Sequence, residues 1–220
     1  MARYYPLMVS LAGKQCIVIG GGVVAERKVQ GLLEAGADHV VVISPAASEG
    51  LKRLVEDGSI ALEQREYQEE DVAGAFLVFA ATDERETNRS VSEAAVRFGA
   101  LVNAADDAAG GDFITPSAVR RGDLLLTVTT GGASPALAAR IKRKLAVSFS
   151  EEYGVLVARL GQLRERMLAD ESDEKRRHAV LRLAAEEAEQ RIDGSGGPFK
   201  EESIDEWMKR LQCAVDGRQT

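Results

Sequence analysis

The run KQCIVIGGGVVAERK, residues 14–28, constrains this chain more than any other stretch. An apolar, β-branched segment stops at three glycines, and a helical pattern begins at once. Glycine loses the most backbone freedom on folding and suits neither a strand nor a helix interior. Three together at such a junction mark a turn that something approaches closely. Gly20, Gly22 and Ala25 spell G-x-G-x-x-A. In a strand–turn–helix setting Gly20 permits the tight turn, Gly22 leaves room for a pyrophosphate against the backbone, and Ala25 lets the helix pack close to the strand. The helix N-terminus adds free N–H groups and a partial positive charge. The alternative is a glycine-rich turn that only joins strand to helix.

From residue 14 onwards, short β-rich runs alternate with helical stretches. Strands are expected over 14–20, 39–44, 60–67, 75–82 and 100–105, with helices over 23–36, 46–58 and 84–99. The strands are near-continuous apolar runs except the polar third, which reads as an edge. That order predicts an α/β fold, a Rossmann-type parallel sheet covered on both faces. The grammar then changes. DFITPSAVRRGDLLLTVTT, 112–130, reads as two extended runs around Arg121-Gly122-Asp123 with no crossover helix, which is antiparallel. After Ser134-Pro135 helices are expected over 135–149, 152–170, 173–192 and 203–214, the second with Tyr153, Leu156, Leu160, Leu163 and Met167 on one stripe. The expected parts are a sheet domain over 1–112, a small hairpin-plus-helix segment over 113–148, and a C-terminal helical domain with a tail over 149–220.

The net charge of −7 argues against nucleic acid as the main partner, and the apolar runs fall far short of the roughly 20 residues of a membrane span. The N-terminal stretch has no apolar core with a cleavage site, so no signal peptide is expected. Cys16 lies in an expected buried strand, which points to a reduced, cytoplasmic chain. No Cys/His spacing suggests a metal site.

Ligands of such sheets sit beyond the carboxyl ends of the strands. The acid that would hold the ribose hydroxyls after the second strand is absent. Ser44 stands there, followed by Pro45, and no arginine follows to welcome a 2′-phosphate, so NAD is expected over NADP. Thr82-Asp83 follows the fourth strand. Asp83, with Glu86 three residues on, also suits a helix cap. Asn103 and Asp106 end the fifth strand, where a turn-forming role for the aspartate is the alternative. The Tyr-x-x-x-Lys pair of short-chain dehydrogenases is missing, and His39 and His178 read as structural, which leaves carboxylates as acid/base candidates. Further on, Ser134 at N-cap and Pro135 at N1 open a second helix start suited to an anion. Arg140, Lys142, Arg143 and Lys144 crowd that helix, with Arg120 and Arg121 nearby in sequence. A solvated helix C-terminus is the other reading of this cluster.

The segments VIGGGVVAERKVQGLLEAGA, AATDERETN, VNAADD and FITPSAVRRGDLLLTVTTGGASPALAARIK resemble, in order and spacing, the precorrin-2 dehydrogenase / sirohydrochlorin ferrochelatase family. This is the dehydrogenase–chelatase part of siroheme synthases. The resemblance runs over residues 3 to 170 and leaves the tail from 194 outside. It implies a homodimer whose dimerisation segment is 113–148, NAD-dependent oxidation of precorrin-2 to sirohydrochlorin and, in some members, insertion of Fe²⁺ as a second substrate. It implies Gly20, Gly22, Val23 and Val24 at the pyrophosphate, Ser44 and Pro45 near the adenosine, and Thr82 and Asn103 towards the nicotinamide. The family's aspartate falls on Asp106, with Asp107 as the neighbouring register. Ser134 is implied to face the tetrapyrrole, and the substrate's carboxylate arms account for the basic cluster, Arg120 and Arg140 included. Thr130 stands where some members have serine. A nucleotide-sensing regulatory module without catalysis is the competing class, and the second anion-suited helix start speaks for the enzyme.

Overall fold

The computed structural model describes residues 4–105, 111–192 and 202–217. The chain divides into two compact units, Met1–Thr115 and Pro116–Thr220.

The first unit is built on five parallel strands: β1 (Gln15–Ile19), β2 (His39–Ile43), β3 (Ala61–Glu63), β4 (Leu77–Ala80) and β5 (Leu101–Ala104). Their spatial order is β3-β2-β1-β4-β5, with Ile17 in register with both Val41 and Val78. Helices α1 (Val23–Glu34) and α2 (Glu49–Glu56) follow β1 and β2, α3 (Arg85–Phe98) follows β4, and a 3-10 turn covers Glu69–Val72. Alternate strand residues feed two separate cores. Cys16, Val18, Val42 and Phe79 pack with Ala25, Val29 and Leu32 of α1 and Leu51 of α2. Ile17, Ile19, Val78 and Val102 pack with Val91, Ala94 and Ala95 of α3. Both faces are therefore dry, which is why the strands read as unbroken apolar runs. β3, the polar strand, lies at the sheet edge as its composition predicts. The order reverses between β1 and β4, so the crevice for a ligand opens at their carboxyl ends.

At the other edge the chain closes β5 itself. Asp112 N–H donates to Val102 O (2.8 Å), and Val102 N–H donates to the Asp112 carboxylate (3.0 Å). Phe113 lies edge-on to Phe79 with ring centroids 5.4 Å apart, so this segment joins the core on the α1 side.

The second unit opens with the expected hairpin, β6 (Ser117–Arg121) and β7 (Leu124–Val128), antiparallel with Arg121 opposite Leu124 across Gly122 and Asp123. Gly122 has φ +54° there, the left-handed region that a two-residue hairpin turn uses. Helices α4 (Pro135–Ser148), α5 (Glu152–Asp170), α6 (Glu174–Ile192) and α7 (Ile204–Gly217) follow. The apolar stripe of α5 is buried at Leu156, Leu163 and Met167, the last two packed on Val180, Ala184, Trp207 and Leu211 of α6 and α7. Arg210 fastens α7 with hydrogen bonds to both Glu187 and Glu202, 2.7 to 3.1 Å long. Arg121 is a structural cation. It donates to the carbonyls of Phe149 (2.9 Å) and Ala146 (3.1 Å), satisfying acceptors at the end of α4.

Candidate functional site

The β1–α1 turn is wedged between the ends of two other strands. Gly20 has φ +119°, and a Cβ there would lie 2.4 Å from Ala81 O, beyond β4. Gly21 is as tightly held on the other side. A Cβ on it would lie 1.8 Å from Ala46 O and 2.8 Å from Ser44 Oγ, beyond β2. Gly22 is the opposite case. It is the N-cap of α1, makes no side-chain cap bond, and a Cβ on it would meet nothing within 4 Å. Two glycines thus serve the protein's own packing, and the third leaves an open approach to the α1 N-terminus. The reading of Ala25 holds, since it is fully buried beneath that first turn. This is the arrangement a pyrophosphate requires, with exposed N–H groups and no side chain in the way. Gly21 had no role in the sequence reading, although the run of three glycines was the available signal.

Val23 and Val24, in the first turn of α1, are 80% and 40% exposed, unusual for valine and consistent with a ligand lying over them. Ser44 is buried at the end of β2, and its N–H donates to Glu63 O (3.1 Å). Pro45 follows it in the loop before α2. Thr82, after β4, is gripped by Asn88. The Thr82 hydroxyl lies 2.8 Å from Asn88 Oδ1, the Thr82 N–H donates to the same oxygen (3.1 Å), and Asn88 Nδ2 donates to Thr82 O (3.0 Å). Asn88, 2% exposed, is a positioning group that sequence reasoning missed, although a helical asparagine on a buried face is a visible anomaly. Asp83 does not cap α3. The N-cap is Glu84, whose carboxylate accepts from the Thr87 hydroxyl (2.9 Å).

Gly20–Val24, Ser44, Pro45 and Thr82 therefore converge at the carboxyl edge of the sheet. Asn103 faces the α1 side of β5 instead. Its Oδ1 accepts from Lys28 Nζ (2.8 Å) and its Nδ2 donates to Phe113 O (2.8 Å). Lys28 also donates to the Thr115 hydroxyl (2.7 Å), and its pKa is lowered to about 8, chiefly by burial and then by the neighbouring Arg27. Asp106 and Asp107 lie outside the described residues. Among the described residues no three His, Cys, Asp or Glu side chains gather into a metal-holding group.

In the second unit Ser134 caps α4 as expected, its hydroxyl accepting from Leu137 N–H (3.2 Å) with Pro135 next in sequence. Thr130 contributes to the same turn. Its hydroxyl accepts from Ser134 N–H (3.0 Å) across Gly131 and Gly132, both at positive φ. Arg120, Arg140, Lys142, Arg143 and Lys144 are all exposed, whereas Arg121 is held by the end of α4.

A profile for NAD(P)-binding domains matches residues 7–117, and one for the central part of a sirohaem biosynthesis protein matches 121–148. The chain belongs to that NAD(P)-binding family. Among curated members, siroheme synthase of Nitrosococcus oceani is 40% identical over 164 residues, covering 74% of this chain and 34% of the relative. That of Nitrosospira multiformis is 40% identical over 169 residues, covering 75% and 36%. Siroheme synthase 1 of Aeromonas salmonicida is 37% identical over 166 residues, covering 76% and 35%. The chain spans about a third of the length of these relatives. A solved structure, that of SirC, a precorrin-2 dehydrogenase, matches with a TM-score of 0.75 and 27% identity, over 96% of this chain and 100% of that one. The family fold is the sheet-plus-helices architecture described above, and the family ligand is a nicotinamide dinucleotide. No described helix is long and apolar enough to cross a membrane.

Proposed function

We propose that this chain oxidises precorrin-2 to sirohydrochlorin with NAD, a step of siroheme biosynthesis. The observation that carries the reading is the β1–α1 turn: closed by packing at Gly20 and Gly21, open at Gly22, and seated where the strand order reverses. Its support from relatives is the likeness to a precorrin-2 dehydrogenase along nearly the whole chain.

The oxidation removes one hydride and one proton from the reduced macrocycle. A nicotinamide dinucleotide at the turn supplies the hydride acceptor. The chain's own residues bind and orient. Gly20, Gly22, Val23 and Val24 hold the pyrophosphate, and Ser44 and Pro45 line the adenosine side. Thr82, fixed by Asn88, borders the nicotinamide side, and Asn103 steadies β5 beneath it. Asp106 takes the proton. Ser134, Arg120 and Arg140 meet the carboxylates of the substrate, with the exposed basic face of α4 supplying charge that a net −7 at long range does not cancel, since screening acts within about 8 Å at physiological salt.

The protein is proposed to work as a homodimer through 113–148, because a two-stranded sheet leaves backbone edges that a second copy pairs. A cytoplasmic setting belongs to the same proposal, supported by Cys16, a buried free thiol whose pKa burial raises to about 11. The test is anaerobic incubation with precorrin-2 and NAD, then with sirohydrochlorin and Fe²⁺. Sirohydrochlorin formed in step with NADH carries the reading. Bound nucleotide with precorrin-2 recovered unchanged leaves a regulatory module. Siroheme in the second incubation adds Fe²⁺ as a substrate.

A further inference from the structure

The entrance to α2 carries an anion of its own. Glu26, in the first turn of α1, reaches across to α2, where its carboxylate accepts from the Ser48 hydroxyl (2.6 Å). Ser48 is the N-cap of α2. Its Oγ also accepts from Leu51 N–H (3.2 Å), and its N–H donates to Gly21 O (2.8 Å), which ties the α2 entrance to the dinucleotide turn. The carboxylate lies so close over Gly50 that a Cβ there would fall 2.1 Å from Glu26 Oε1. Gly50 is the second residue of α2, so the place where this helix offers N–H groups and positive potential is filled from within. The cations of the next turn are engaged with Glu49: Lys52 with its carboxylate (2.7 Å) and Arg53 with its carbonyl (3.3 Å).

In a fold of this type the ribose of the adenosine lies beyond the end of the second strand, and a 2′-phosphate, when present, is received in the same place. Here that place runs from Ser44 to Ser48. We propose that Glu26 is the residue that sets the dinucleotide preference, excluding a 2′-phosphate by occupying the α2 entrance with a fixed carboxylate. The inference rests on the cofactor reading above and deepens it. An acid normally discriminates from the end of the second strand. In this chain that position is a serine, and the acid comes from α1 instead, which would supply the preference for NAD proposed above that Ser44 alone would not enforce.

The experiment is calorimetric titration of the full-length protein with NAD and with NADP, without substrate, for wild type and Glu26→Gln. Glutamine keeps an acceptor for the Ser48 hydroxyl and removes the charge. Since like-charge juxtaposition costs several kcal/mol, the wild-type preference for NAD should narrow by at least about tenfold in Glu26→Gln. Gly50→Ala is the second variant, for use if the first does not fold. Alanine favours the helix, and its methyl displaces the carboxylate, so the same narrowing is expected. An unchanged ratio with NAD still bound overturns the role of Glu26 and leaves the cofactor site standing. Binding of neither nucleotide by wild type overturns the cofactor reading and this inference with it.

Discussion

The Lys28 ammonium lies 2.8 Å from the side-chain oxygen of Asn103, a residue 75 positions further along the chain. That bond joins α1 to β5, and through Asn103 Nδ2 and the Thr115 hydroxyl it fastens the segment that leaves the sheet. Among the described residues its partners, Asn103, Thr115 and the Phe79 ring at 5.5 Å, are neutral. Burial disfavours the charged form, the neighbouring Arg27 adds to the effect, and so the pKa falls from 10.5 to about 8.

This has a consequence for stability. Between pH 8 and 10.5 the unfolded chain holds the Lys28 proton and the folded chain has released it. Stability from this group therefore rises with pH across that window, and is lost as pH falls through 8. Lys28→Met removes the titration. The melting temperature of wild type relative to Lys28→Met should shift in favour of wild type as pH rises from 8 to 10. A difference that stays flat with pH would show that Lys28 titrates as an exposed lysine.

The three glycines are expected to separate cleanly. Gly21→Ala drives a methyl into backbone at Ala46 and should destabilise the fold by about 1–3 kcal/mol, as overpacking does. Gly22→Ala meets open space and should change stability by no more than about 0.5 kcal/mol, while weakening NAD binding. Denaturant unfolding and calorimetry on both variants read this out. Equal stability losses at the two positions would contradict the packing roles assigned to them.

Much of this fold was legible in the sequence because burial on both faces writes itself as unbroken apolar strands. AFLVFAAT contains β4, central and buried throughout, and the polar IALEQREY contains the edge strand β3. The lack of a crossover helix after residue 112 revealed the hairpin, and Ser134-Pro135 announced α4. The supports of the site were not legible. Lys28–Asn103 and Glu26–Ser48 join residues 75 and 22 apart, and they meet only because of which sheet face each helix covers. Of the two roles open to Asp83, the capping one falls to Glu84, one residue on, since an acidic run gives several equivalent helix starts.

Asp106 is proposed as the proton acceptor, with Asp107 as the rival register. Asp106→Asn keeps size and hydrogen-bonding capacity and removes the base, so turnover should fall by roughly 10²–10⁴ with NAD affinity nearly intact. Asp107→Asn should fall far less. The reverse order in steady-state kinetics would move the role to Asp107, and normal turnover in both would send the proton to solvent.

If 113–148 pairs across two copies, as proposed, the sedimentation mass is twice the 23.6 kDa of one chain at micromolar concentration. A single species at the monomer mass would reject the dimer.

The most direct test of the whole account is anaerobic turnover of precorrin-2 with NAD by wild type and Gly22→Asp prepared side by side. The Gly22 side chain position is open, so the variant should fold, but its carboxylate would sit where the pyrophosphate is proposed to bind. The account predicts one NADH for each sirohydrochlorin formed by wild type, and no turnover by the folded variant. No NADH from wild type, or turnover by Gly22→Asp at the wild-type rate, would contradict it.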